Sequence, residues 1–297
     1  MPVLRTRILV IAFVALGVAC ARKDAQTPAT SLTDDFGDTI VVGPRPTRIV
    51  SLNPATTEIM FAIGAGDRLV GRTHWDLYPA AAAKVPDLGT GIRPNIEAVL
   101  GARPQLVLLY ASADNRNAAQ RFRAAGVNTL SLKTDRIEHF FRATQLIGLL
   151  VGDTARAKLV ADSVRKSIES VRAKTSGLPK PTVFWHIWDA PLITIGGGSY
   201  MSQLIDIAGG TNIYDERPDV SPQVSIEDVI KRNPTYIITG PEGADKIKKD
   251  PKWAIAPAVK AGRVIVVDTA LVGRPAVRLG EAAIALASLI HPKDFTR

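Results

Sequence analysis

Ile96-Glu97-Ala98-Val99-Leu100, leading through Pro104 to Leu106-Val107-Leu108, returns as Ile226-Glu227-Asp228-Val229-Ile230, leading through Pro234 to Tyr236-Ile237-Ile238. Ile, Glu, Val and Pro coincide at one constant offset, with apolar residues matching between them. Each copy reads as a helix with an acid in its first turn, a proline stop and then a strand. A single acid at a single helix is explained by the positive helix N-terminus it complements. Equivalent acids in both copies call for more, namely two lobes related by an approximate twofold.

The flanking sequence continues the alternation. Arg48-Ile49-Val50-Ser51-Leu52 reads as a buried strand stopped by Asn53-Pro54, and Thr56 or Thr57 is the expected cap of a helix through Ile63. Asn95 caps the first repeat helix, Gly126 ends a helix over residues 120–125, and residues 127–132 are extended. After the second copy come a strand over residues 264–267 and a terminal helix over residues 279–289. Strands alternating with helices imply mainly parallel sheets covered on both faces. Between the blocks, residues 137–151 have helical spacing, and Asp153 or Thr154 caps a second helix reaching about Lys174. Two readings fit that helix, a stiff connector between lobes or a crossover within one sheet.

The N-terminus marks export. Arg5 and Arg7 precede an apolar run over residues 8–18, the length of a signal h-region and short for a bilayer span. It ends in Leu16-Gly17-Val18-Ala19-Cys20, which resembles a bacterial lipobox, with Gly17 departing from the usual leucine; ordinary cleavage after Ala19 is the other reading. Cys20 is the only cysteine, so packing without an internal disulfide must stabilise the exported chain, and acylation there would tether it to a membrane. The chain divides into a signal peptide (1–19), a flexible tether (20–37), a first α/β lobe (38–152), an interlobe helix (153–176) and a second α/β lobe (177–297).

The 297 residues are 46% hydrophobic and 22% charged, which excludes a disordered or multi-span chain. A net charge of +9 is scattered rather than concentrated, so nucleic acid is not an expected partner. No G-x-S-x-G elbow, phosphate loop or H-E-x-x-H is present, and no catalytic residues or cofactor are expected. His74, His139, His186 and His291 lack short ligand spacing, and His291 reads as surface. Gly196-Gly197-Gly198-Ser199 reads as a tight turn or an anion cradle. The stronger candidates stand at strand ends, where α/β sheets bind ligands: His74 and Trp75, Tyr110, and His186 with Trp188. Such aromatics suit a large, flat, partly apolar ligand. Arg274, in the loop after the last strand, could hold an anionic or amide group.

Arg48 to Pro54 with Thr57-Glu58, Tyr78-Pro79, Asn95-Ile96-Glu97 with Arg103-Pro104, Ala208-Gly209-Gly210-Thr211-Asn212 and Pro222 to Glu227 together resemble the iron-chelate and vitamin B12 class (class III) of periplasmic substrate-binding proteins of ABC importers. The resemblance runs over residues 47–292 and is nearest to cobalamin-binding members. It implies two Rossmann-like lobes joined by a single long rigid helix, with the ligand in the cleft between them. It also implies a monomer that docks on the ABC permease, and so on its ATPase, through Glu97 and Glu227. Positions matching Trp75, Tyr110 and Arg274 line the cobalamin site, and residues 187–192 look like its second-lobe wall. Gly91 and Ser221 depart from that subgroup, standing where its best-known member has tryptophans. A cobalt corrinoid is the expected ligand. The alternatives are haem, with Tyr110, His74 or His186 as iron ligand, and a ferric siderophore held by Arg72, Arg93 and Arg274. A reading from another class is an exported metal-dependent hydrolase built on His74, His186, Asp76 and Asp189.

Overall fold

The computed structural model describes residues 31–295. Residues 1–19, read as a signal peptide, and Cys20 lie outside them. An antiparallel ribbon, β1 (Ser31–Thr33) and β2 (Thr39–Val41), opens the described chain. The first lobe is a four-stranded parallel sheet of β3 (Ile49–Leu52), β4 (Leu69–Gly71), β5 (Leu106–Tyr110) and β6 (Asn128–Leu132) in the order β4-β3-β5-β6. Its helices are α1 (Pro54–Ala62), α2 (Ile96–Gly101) and α3 (Arg116–Ala124). Then come α4 (Ile137–Val151) and the 22-residue α5 (Thr154–Thr175). The second sheet contains β7 (Thr182–Trp185); a small hairpin, β8 (Trp188–Asp189) with β9 (Leu192–Ile193), stands apart; β10 (Thr211–Asn212), β11 (Tyr236–Thr239) and β12 (Val264–Val266) complete the order β10-β7-β11-β12. Around it lie α6 (Tyr200–Ile207), α7 (Ile226–Arg232), α8 (Pro241–Lys249), α9 (Pro257–Lys260), α10 (Thr269–Val272) and α11 (Leu279–Ile290).

The two sheets have one topology: the first strand of each stands second, flanked by the second and third. The repeat is therefore a repeat of structure, and it extends to the backbone. Asn95 and Ser225 both cap their helices by accepting the N–H of the third helical residue, Ala98 and Asp228. Arg103 and Asn233, again at the same offset, both turn the chain with positive φ, 49° and 47°, before the proline that blocks further helix.

Alternate strand residues feed different cores. Val50, Leu52, Val107 and Leu109 pack with Phe122 under one face of the first sheet, and Phe184 and Ile237 pack with Tyr214 and Trp253 under one face of the second. The opposite faces share a single core: Ile49, Leu108, Val183 and Ile238 join Ile147, Val164, Ile168, Val171 and Leu286. The α5 residues in that list recur at helical spacing, so α5 contributes one apolar stripe to both lobes. It is a connector, which decides between the two sequence readings. A shared, close-packed core also limits how far the lobes can move apart along this side.

Three sequence expectations are corrected. The tether read over residues 20–37 does not include residues 31–37, which fold: Asp34, 4% exposed, accepts the N–H groups of Phe36 and Asp38 and pairs with Arg123. Asn53, not Thr56 or Thr57, caps α1, its side chain accepting from Ala55 N. His291 is buried, its Nε2 in hydrogen-bond contact with the Gly209 carbonyl.

Candidate functional site

In both sheets the strand order reverses about the first strand, and loops beyond the carboxyl ends at such a switch point form a crevice. From the first lobe this crevice receives the segment after β4 and the end of β5; from the second it receives the segments after β7, β11 and β12. Trp75 and Trp188 present their rings to solvent, at 60% and 57% exposure. Large apolar rings left open at a switch point are a waiting binding surface. His74 is exposed and tilts against Trp75, with ring centroids 4.7 Å apart.

The second-lobe wall holds a cavity of about 540 Å3 lined by His186, Trp188, Asp189, Thr239, Lys246 and Val272, among others. Its polar groups form a chain. His186, 3% exposed, has Nδ1 3.0 Å from Thr239 Oγ1 and Nε2 2.9 Å from Asp189 Oδ1. Lys246 Nζ donates to Asp189 Oδ2 at 2.7 Å and stands 5.7 Å from the Trp188 ring centroid. Burial lowers the His186 pKa, against the pull of Asp189, so the buried ring favours its neutral form. Burial of Asp189 is outweighed by Lys246 and His186, which together lower its pKa. With both nitrogens engaged, His186 has no lone pair directed at a ligand and is corrected from an iron ligand to a brace for the Asp189–Lys246 pair.

Because the His186 pKa is lowered on folding, the unfolded chain binds a proton as pH falls through 6.5 while the folded chain resists. This group therefore costs stability below that pH and costs none above it. Glu58 and Asp76, whose pKa values are raised by burial, act with the opposite sign. The expected result is that the melting-temperature difference between His186→Gln and the parent moves in favour of the variant between about pH 7 and pH 5. A constant difference across that range would remove His186 as the titrating group.

On the first-lobe side Tyr110 is half-buried, and its hydroxyl donates to Asp135 Oδ1 at 2.5 Å. Burial and that carboxylate raise its pKa, so the phenolate needed to ligate ferric iron is disfavoured. Asp76 is fully buried, its carboxylate accepting from the hydroxyls of Thr57 and Thr73. The four groups of the hydrolase reading therefore do not assemble: Asp76 serves two threonines and Asp189 serves His186 and Lys246. Among the described residues no cluster of three or more His, Cys, Asp and Glu could hold a metal.

The arginines read as anion contacts all have protein partners. Arg72 donates to the carbonyls of Ala82 and Thr73, and Arg93 pairs with Asp114 at 2.6 Å. Arg274 donates to the Trp75 carbonyl at 3.1 Å and lies 3.8 Å from Glu58, contacts that cross between lobes. The three glycines 196–198 are not an anion cradle: a Cβ on any of them would lie within about 2.2 Å of the carbonyl oxygens of Asp219, Asp215 or Pro218, so they permit close backbone packing. Gly91 is explained likewise, since a Cβ there would meet the Leu52 carbonyl at 2.2 Å, leaving no room for a tryptophan. Glu97 and Glu227 are exposed in the first turns of α2 and α7. Lys246 and Glu58 were missed by sequence reasoning: one stands in an ordinary lysine run, and the other carries no local signal for its partners.

Topologically matched parallel-sheet lobes, bridged by one long helix and carrying open indoles at their switch points, define a two-lobed substrate-binding protein. The chain belongs to the periplasmic binding protein family, whose model matches residues 49–271, a family of transport proteins rather than enzymes. It is 28% identical to the uncharacterized ABC transporter substrate-binding lipoprotein YvrC of Bacillus subtilis, over 93% of this chain and 90% of that one. It is also 28% identical to a cobalamin-binding protein of Halobacterium salinarum, over 92% of this chain and 77% of that one. Among solved structures, the periplasmic heme-binding protein RhuT of Roseiflexus sp. RS-1 superposes with a TM-score of 0.76 at 25% identity, covering 85% of this chain and all of that one. Among the described residues no helix is long and apolar enough to cross a membrane.

Proposed function

We propose that this chain is an extracytoplasmic lipoprotein, anchored through Cys20, that captures a corrinoid between its lobes and delivers it to an ABC permease. Trp75 and Trp188 cover the flat macrocycle, His74, Tyr110 and Lys246 border it, and Arg274 holds the first-lobe wall in place. Residues 38–152 and 177–297 act as the two lobes, and Glu97 and Glu227 are their handles for permease arginines, through charge-assisted pairs suited to reversible docking.

One observation carries the choice of ligand: the cleft offers two open indoles while Arg72, Arg93 and Arg274 are already paired within the protein. A macrocycle fringed with neutral amides suits such a surface better than one needing cations for its carboxylates. The identity to a cobalamin-binding relative over most of the chain points the same way. Haem is the second reading, favoured by the likeness to RhuT and by the exposed His74, which is open to a ligand in a way that His186 is not.

The test is to incubate the purified chain with cyanocobalamin, haemin and ferric siderophores separately, desalt, and record absorbance. The corrinoid spectrum is expected to stay with the protein at one per chain. Retention of haemin alone would replace the ligand, and retention of none would overturn the reading.

A further inference from the structure

Glu58 lies in α1 of the first lobe and is 1% exposed. A carboxylate so far from water needs compensation, and its cationic partners come from the other lobe. Arg278 Nη2 donates to Glu58 Oε1 at 3.0 Å, and Arg278 Nε lies 3.4 Å from Oε2. Arg274 Nη1 is 3.8 Å from the same Oε1 and donates to the Trp75 carbonyl at 3.1 Å. The Arg278 guanidinium also lies 3.9 Å from the centre of the Tyr78 ring and donates to the Ala270 carbonyl within its own lobe. Buried Asp76, tied to Thr57 and Thr73, completes a group of two carboxylates from one lobe and two guanidiniums from the other. The two arginine side chains are themselves only 15% and 13% exposed. The cluster is thus balanced in charge and largely dry, and its ion pairs cross the interface.

We propose that Glu58, Arg274 and Arg278 form an interlobe latch that sets the width of the cleft and, through the Trp75 carbonyl, the position of the first-lobe indole. They are positioning residues rather than ligand contacts. The shared core along α5 holds the lobes together behind the cleft, so the latch acts on the remaining freedom. Removing the Glu58 charge leaves two guanidiniums facing a poorly matched, partly dry interface, and they regain water only if the lobes part. The link to ligand capture rests on the function proposed above; the link to cleft width does not.

The test uses full-length chain carrying Cys20→Ser, with spin labels at two exposed sites, Ala125→Cys in one lobe and Lys260→Cys in the other. Interlobe distances are measured by pulsed electron paramagnetic resonance without ligand. Glu58→Gln and Arg278→Gln are each expected to lengthen and broaden the distance distribution. Their combination, which removes one charge of each sign, should do so by less than the sum of the two. Where a ligand has been identified, each single variant should release it about tenfold faster with little change in association rate. If Glu58→Gln yields no folded protein, Arg278→Gln carries the test alone. Distributions unchanged in the folded single variants, or strictly additive in the double, would overturn the latch. A latch that opens as expected in a chain that retains no corrinoid would leave it standing and remove only the ligand assignment.

Discussion

Replacing Trp75 and Trp188 together by alanine is expected to weaken corrinoid capture by about three orders of magnitude while leaving the fold intact. Both rings are more than half exposed, so neither belongs to a core whose loss would cost stability. If the ligand removes about 80 Å2 of each indole from water, at about 25 cal/mol per Å2, each ring contributes about 2 kcal/mol, or about 30-fold in affinity. The rings come from different lobes, so their losses should be nearly additive. Isothermal titration of the two single variants and the double variant checks this. A double variant that binds within a few-fold of the parent would remove the stacking walls from the site.

Glu97→Ala combined with Glu227→Ala is expected to abolish most ligand uptake by cells in which this chain is the only binding protein, with in vitro affinity unchanged. The two acids occupy equivalent helix positions and are exposed. As exposed first-turn acids they only complement their helix N-termini, so their loss should leave the fold intact. Exposed acids that are part of no buried network are free to act on a partner without cost to the fold. Uptake measured with labelled ligand, alongside affinity and melting temperature, separates docking from folding. Normal uptake by the double variant would sink the docking role.

Much of the fold was legible in the chain. The caps Asn95 and Ser225, the acids behind them, the prolines that follow and the β-branched runs beyond all act over a few residues, so they can be recognised in sequence order. The long helix was legible too, because Val164, Ile168 and Val171 mark one stripe. Its role as connector was not, since helical spacing says which face is buried and not against what. Asp34 shows the same boundary from the other side: a polar stretch read as tether folds because its carboxylate meets Arg123, far along the chain.

The site divides in the same way. Trp75 and Trp188 stand out in the sequence because bulky rings at the ends of strands have no use in a parallel-sheet core, and both are exposed. The partners of His186 and Arg274 were not legible in the sequence. His186 is held by a threonine 53 positions away, and Arg278 meets Glu58 across 220 positions. The amino-acid sequence by itself determined two equivalent α/β halves, each with an acid in the same helical turn, because caps, periodicity and proline stops are local properties. Only the tertiary structure decided which charged groups remain open to a ligand. A buried charge must find its counter-charge wherever folding brings one, and that choice is made between lobes rather than along the chain.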